Sequence, residues 1–188
     1  ISSYLAEKYP STELNIECEL NPFFIDMALE FKPAQCTLVP VTPGEITSDH
    51  GWDIPKFERI LRPSIARLKE AGIRTSIFMD CDPMLMSGAA SVGADRVELY
   101  TGPYAWAWNT DQQKEQTQAI WECARIANEQ GIGVNAGHDL DRHNLHGIAK
   151  APGLLEVSIG HAQICRALEV GTHQSVQELL GALGWNTP

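Results

Sequence analysis

Residues 13–40 read ELNIECELNPFFIDMALEFKPAQCTLVP. In the opening run, Asn15, Glu17 and Glu19 fall on one face of an extended chain and Ile16, Cys18 and Leu20 on the other. Pro22 then starts a helical pattern. Phe24, Met27, Ala28 and Phe31 recur at i, i+3, i+4 and i+7, which predicts one apolar face. The run CTLVP (residues 36–40) is short, apolar and uncharged, as expected of a strand covered on both sides. Strand, helix and strand in so short a span predict a parallel β-α-β unit.

The same alternation continues along the chain. Strand-like segments are predicted at residues 13–20, 36–40, 75–79, 96–100, 133–135 and 155–159. Helical patterns are predicted at 22–31, 54–72, 82–93, 114–131, 143–151, 162–171 and 173–183. Gly72 and Gly93 read as helix stops and Pro83 as a first-turn residue. In residues 114–131, Ala119, Cys123 and Ile126 are expected on one face. Serial β-α units give either a doubly wound sheet or a closed barrel. No Gly-x-Gly-x-x-Gly turn follows the first strand, and polar candidates cluster at the C-terminal ends of the strands, as at a barrel mouth. The fold class expected is α/β, a TIM-type (β/α) barrel with six of eight strands in this chain, forming a single domain over residues 1–188.

Composition narrows the function. Apolar residues make up 44% of the 188 and charged residues 20%, enough for a sizeable core. A net charge of −10 argues against a nucleic-acid or anionic-membrane partner, because neither would meet a basic surface. Small phosphorylated ligands stay open, since backbone N–H groups at helix N-termini can hold them. Cys18, Cys36, Cys81, Cys123 and Cys165 form no Cys-x-x-Cys pair and read as reduced core or near-core thiols of a cytoplasmic protein. Residues 1–10 lack the pattern of a signal peptide, and no apolar run has the length of a membrane span, so a soluble protein is expected.

Several polar residues interrupt apolar segments. Glu17 on an inward strand face would be partly desolvated and suited to proton transfer; equally, its strand could present a solvated polar face. Glu98 lies within Val97-Glu98-Leu99-Tyr100 and reads either as an active acid or as a structural carboxylate paired with an Arg or a backbone N–H. His138 follows the small residues Ala136 and Gly137 at a strand end, where it could exchange protons or merely cap the next helix. His143 and His146 show no standard ligand spacing, and both are expected on a helix surface. Gly160-His161 joins a strand to a helix, which makes either a phosphate site or a plain tight turn. The polar loop over residues 41–51, containing Thr47, is a lid candidate or an ordinary mobile loop. A Schiff-base aldolase would want a strand lysine. Lys8, Lys32, Lys56, Lys69, Lys114 and Lys150 all fall on helices, helix ends or linkers.

The segments ELNIECEL, CTLVP with GEITSDHGWD, RTSIFMD, RVELYTGPYA, VNAGHDL and LEVSIGHA occur in this order. Together they resemble the pyridoxine 5′-phosphate synthase family, from about Thr12 to Leu183. The resemblance implies a ring-closing condensation of 3-amino-2-oxopropyl phosphate with 1-deoxy-D-xylulose 5-phosphate, giving pyridoxine 5′-phosphate, phosphate and water, with no metal or organic cofactor. It implies Glu17 as general base, His138 as proton donor and Glu98 as a further active-site carboxylate. It further implies Thr47 as a lid residue on the deoxyxylulose phosphate, and Gly160 and His161 as the phosphate site for the amino-ketone. Asp139 stands where some relatives have Gly, and its backbone N–H could bind phosphate if its carboxylate points away. Homo-oligomeric assembly is also implied. Family members begin with two further strands, which this sequence does not supply, so an N-terminally truncated barrel is expected, its open edges covered by another chain or distorted. An inactive phosphate-binding or assembly fragment is the alternative.

Overall fold

The computed structural model describes residues 1–185. Six strands, β1 (Asn15–Glu19), β2 (Gln35–Val39), β3 (Arg74–Met79), β4 (Arg96–Tyr100), β5 (Gly133–Gly137) and β6 (Leu154–Ser158), alternate with helices. These are α1 (Ser2–Lys8), α2 (Pro22–Phe31), α3 (Ile54–Glu70), α4 (Met86–Val92), α5 (Gly102–Trp106), α6 (Gln113–Glu129), α7 (His161–Val170) and α8 (Thr172–Leu183). Strand order follows chain order from β1 to β6, with parallel pairing at β1–β2, β2–β3 and β5–β6. This is the serial (β/α) arrangement that the sequence predicts. No helix among the described residues is long and apolar enough to cross a membrane.

Two compact units divide the chain. The first comprises Ile1–Asp80 and Leu85–Glu98. Here Asn21 caps α2, its side chain accepting from Phe24 N at 3.1 Å, with Pro22 in the first turn. The buried stripe of α2 is Ile25 and Ala28, and Phe31 is exposed. The predicted face was therefore centred one residue away, because several adjacent apolar residues let either stripe satisfy the period. α3 buries Ile54, Leu61, Ile65 and Leu68. Every residue of β2 is buried, as the uncharged run implied.

Several buried polar groups in this unit are paired. Thr37 Oγ1 donates to Asn15 Oδ1 at 3.2 Å, and Arg74 Nε donates to Gln35 Oε1 at 2.7 Å. Asp95 ties three elements: its carboxylate accepts from Thr75 N at 2.8 Å and Thr75 Oγ1 at 3.0 Å, and it lies 2.8 Å from Lys69 Nζ of α3. Burial alone would raise the Asp95 pKa, but the Lys69 and Thr75 bonds prevail and hold it below the usual value.

The second unit comprises Cys81–Met84 and Leu99 onward. β5 and β6 pair from Val134↔Leu154 to Gly137↔Ser158, with a bulge between Val134 and Asn135. The buried stripe of α6 is Ile120, Cys123, Ala124 and Ala127, one residue along from the expected face. Arg166 of α7 grips Glu178 of α8 with Nε and Nη2 at 2.8 and 2.9 Å, and this guanidinium brings the Glu178 carboxyl down to about 2.

Three expectations need correction. The helix predicted over 143–151 is absent; only a 3-10 turn, Leu145–Gly147, forms there. Asp141 accepts from the backbone N–H of His143 (2.7 Å) and Asn144 (2.9 Å), and Asn144 Oδ1 accepts from Asp141 N at 2.9 Å. Such side-chain bonds satisfy the backbone locally and compete with helix. His143 and His146 are consequently not on a helix face, and the His146 ring lies against Trp108. The predicted helix 82–93 opens as a 3-10 turn, Pro83–Leu85, before α4 begins. Finally, Cys165 is exposed on α7, whereas Cys18, Cys36 and Cys123 are buried as expected.

Asp95→Asn is expected to lower stability by about 1–3 kcal/mol, the range for losing hydrogen bonds to a charged acceptor. Because the folded-state pKa of Asp95 is depressed, its contribution is present above the ordinary Asp range and is lost as pH falls through the folded value. Urea unfolding at pH 7 and again near pH 3 checks this: the gap between wild type and variant should shrink at the lower pH.

Candidate active site

Two of the candidate residues, Glu17 and Glu98, stand mid-strand, and the others lie in the segments that follow strands. In the first unit, alternation along β1 places Asn15, Glu17 and Glu19 on one face. The register Glu17↔Thr37↔Ser76 sets Thr37 and Ser76 on that same face of β2 and β3, both fully buried. The Ser76 Oγ has no hydrogen-bond partner among the described residues. Glu17 itself is exposed. The partial desolvation expected of it is absent, since β1 stands at the end of the strand order. Glu98, on β4, is only 2% exposed, so of the two carboxylates it alone is removed from water by the fold.

Thr47 lies in the loop after β2, within residues 41–53, which form no helix or strand. Thr47 is exposed, and Ile46 beside it is fully so. The loop is fastened at its far end. Gly51 N donates to Asp80 Oδ1 at 2.9 Å, Trp52 N to Phe78 O at 3.0 Å, and Trp52 Nε1 to Leu38 O at 2.9 Å. Gly51 is required there: a Cβ would stand 2.2 Å from Asp80 N and 2.6 Å from Met79 C. Glu45, Asp49 and His50 converge in this loop, with His50 Nδ1 3.0 Å from Asp49 and 3.4 Å from Glu45. Glu45 also accepts from Thr42 N. These bonds within the loop account for the grouping, which spacing along the sequence did not reveal.

In the second unit, β5 ends in Gly137, and the backbone turns through two positive φ values, 92° at His138 and 57° at Asp139. Small residues before His138 were the signal in the sequence; the turn was not. Thr101 holds this turn. Its N–H donates to Gly137 O at 2.8 Å, and its hydroxyl lies 2.7 Å from Gly137 O and 2.6 Å from His138 O. The edge of the Tyr100 ring system meets the His138 ring at 5.1 Å between centroids and 87°. His138 Nδ1 is 3.2 Å from Asp139 Oδ2, but the angle does not make a hydrogen bond. Asp139 Oδ2 accepts instead from Trp106 Nε1 at 2.9 Å. His138 therefore does not cap a following helix. Thr101, Tyr100 and Trp106 are the neighbours that the sequence did not single out. They lie in the run after Glu98, where only the contacts of the folded chain distinguish them from ordinary aromatic packing.

Nearby, burial raises the Tyr104 pKa, the Asp141 charge adds to that, and its hydroxyl donates to Asn144 O. Gly160 precedes α7 as its N-cap residue, and His161 is the first helical residue; both are exposed. Nothing stands within 4 Å of a Cβ added at Gly160. A side chain at this position would therefore meet open space, and helix starts of this kind can receive an anion.

The chain matches the family model for the pyridoxal phosphate biosynthesis protein PdxJ over residues 3–184. It belongs to this family. A pyridoxine 5′-phosphate synthase of Albidiferax ferrireducens is 48% identical over 182 residues, covering 94% of this chain and 72% of that protein. A pyridoxine 5′-phosphate synthase of Mesorhizobium japonicum is 42% identical over 188 residues, covering 98% and 76%. Among solved structures, the native KDPGal structure superposes with a TM-score of 0.63 at 12% identity, over 97% of this chain and 73% of that one. The tryptophan synthase A-subunit from Pyrococcus furiosus gives 0.62 at 16%, over 93% and 69%. At such identities the structural matches show the fold alone, and that fold is the TIM-type (β/α) barrel, of which this PdxJ-family chain carries six strands.

The anchoring of the PdxJ-family loop generates a prediction. Gly51→Ala forces backbone apart at Asp80 and should cost about 1–3 kcal/mol, as overpacking does. Denaturant unfolding measures it; an unchanged midpoint would show that the loop end is loosely held.

Proposed function

We propose that this chain carries out the condensation of 3-amino-2-oxopropyl phosphate with 1-deoxy-D-xylulose 5-phosphate to pyridoxine 5′-phosphate, phosphate and water. The observation that carries the reading is the PdxJ-family match over nearly the whole chain. The placement of acid–base groups on strands, at Glu17 and Glu98, and just after a strand end, at His138, supports it. Imine formation between the amine and the ketone expels water, and closing an aromatic ring needs further dehydrations and proton shifts. Several titratable groups around one cavity suit such chemistry.

In this proposal Glu17 is the general base, Glu98 holds the amino-ketone and relays protons, and His138 donates a proton to a departing oxygen. Burial of Glu98 supports its role, because a polar group withdrawn from water interacts more strongly with a bound ligand. The start of α7 at Gly160 and His161 and the backbone N–H of Asp139 receive phosphate, and Thr47 closes over the deoxyxylulose phosphate from its loop. The turning of the Asp139 carboxylate toward Trp106 supports a backbone role, since a carboxylate aimed at phosphate would repel it. Action as a single barrel domain, cytoplasmic location and homo-oligomeric assembly belong to the same proposal. The exposure of Glu17 favours a second reading, a phosphate-binding or assembly module without turnover.

A turnover assay separates the two readings. Purified protein is mixed with both phosphorylated substrates, and pyridoxine 5′-phosphate and released phosphate are followed. Product is expected from the wild type, with Glu17→Gln and His138→Gln each reducing kcat by about 10²–10⁴-fold, the usual contribution of a general acid or base. Absence of product alongside retained binding of a phosphate ligand would establish the second reading.

A further inference from the structure

Phosphate binding by the Asp139 backbone requires only that its carboxylate point away, not that it meet Trp106. Trp106 is 64% exposed, yet its indole N–H is committed to the Asp139 carboxylate at 2.9 Å. Asp139 in turn sits in the left-handed region, φ 57°, directly after His138 at φ 92°. Consecutive non-glycine residues with positive φ persist only where neighbours fix them. Thr101 fixes the backbone from one side, and Asn144 Nδ2 donates to Asp139 O at 3.1 Å from the other. The consequence of this bend is that the Asp139 side chain doubles back: Oδ2 is 3.2 Å from the Nδ1 of the adjacent imidazole. One carboxylate oxygen therefore faces both the indole N–H and the imidazole, and the Tyr100 ring meets both the imidazole and the Trp106 ring edge-on.

We infer that Trp106 and Asp139 are positioning residues for His138. Trp106 holds the carboxylate in place, and the carboxylate selects the imidazole form with its proton on Nδ1. A carboxylate beside one ring nitrogen fixes which nitrogen is free to react. Nε2 is then the nitrogen that exchanges protons with substrate. In the donating step the imidazolium gives its Nε2 proton to a substrate hydroxyl. The C–O bond breaks, its electron pair leaves with oxygen as water, and the ring remains neutral with its proton on Nδ1. The 3.2 Å approach of Nδ1 and Oδ2 without a hydrogen bond in the free chain fits a contact that tightens when substrate is bound. This inference rests on the proposed role of His138 in proton transfer, and it assigns Trp106 and the Asp139 carboxylate functions that the family match alone does not.

The test reads the imidazole directly, so it does not depend on turnover. The full chain is labelled with 15N-histidine, and the His138 ring nitrogens are identified by comparison with His138→Gln. Neutral His138 in the wild type is expected to carry its proton on Nδ1. Asp139→Gly removes the carboxylate, and glycine adopts φ 57° without strain. It should convert the ring to a mixture in which the Nε2–H form is prominent. Trp106→Phe keeps the ring and removes the N–H, and should shift the mixture the same way by a smaller amount. Should Asp139→Gly fail to fold, Trp106→Phe at its exposed position carries the test. If turnover is observed, Trp106→Phe should lower kcat by roughly tenfold with KM little changed, the pattern of a group that acts in the transition state. An Nδ1-protonated ring in every variant, or an Nε2-protonated ring in the wild type, would overturn the inference. Loss of turnover with the expected ring states would instead count against the proposed reaction and leave the positioning intact.

Discussion

A strand covered on both sides has no water to satisfy a polar side chain, so each buried amide, hydroxyl or carboxylate on it must find a partner in the fold. That constraint governs this chain, because its strands are apolar on one face and polar on the other. Gln35, Thr37, Ser76, Glu98 and Asn135 are all buried. In the first unit, Thr37 meets Asn15, Gln35 meets Arg74, and Arg74 reaches on to Glu13 at 3.3 Å. These bonds run across adjacent strands and hold the register that the apolar face alone would specify less sharply. In this unit the polar face that carries these bonds is also the face of β1 that carries Glu17. Structure and chemistry therefore draw on the same set of groups.

The other face follows the ordinary rule. Ile16 and Cys18 pair in register with Cys36 and Leu38, and the Cys18 and Cys36 sulfurs touch at 3.4 Å. The contact with Cys18 and burial both push the Cys36 thiol pKa upward, so it stays protonated and packs as a small apolar group. α3 covers this core with Leu61, Ile65 and Leu68. Asp95 then links the end of α3 to the starts of β3 and β4 through Lys69 and Thr75.

The alternation of strands and long helices was legible in the sequence because periods of 2 and 3.6 are strong over such runs. Strand centres fell inside the observed strands throughout, and Gly93 stops α4 in the left-handed conformation expected of it. Faces were less legible. In α2 and α6 the apolar residues are dense enough that two adjacent stripes fit the period, and packing chose the one with Ile25 or Ile120. Helix over 143–151 failed for a different reason: Asp141 and Asn144 offer the backbone nearer partners than a helix would. At the candidate site the residue types Glu98, His138 and Gly160 were legible, because each breaks a local pattern. Thr101, Tyr100 and Trp106 were not, since their part depends on contacts with residues more than thirty positions away, such as the Trp106–Asp139 bond.

Glu17 and Glu98 show why residue type alone does not settle chemistry. Both stand mid-strand with apolar neighbours on either side in sequence, Ile16 and Cys18 for one, Val97 and Leu99 for the other. Yet Glu98 is buried and Glu17 exposed. The strand order supplies the reason: β4 lies between β3 and β5, whereas β1 ends the order with β2 as its neighbour. Withdrawal from water is one of the ways a fold suits a carboxylate to proton transfer, alongside nearby charges and hydrogen bonds. Glu98 receives that environment from the chain's own fold. For Glu17 to share such an environment, something beyond β2 has to displace water from it, and bound substrate or a second polypeptide are agents able to do so. The burial of Glu17 is thus conditional on cover, while that of Glu98 is built in.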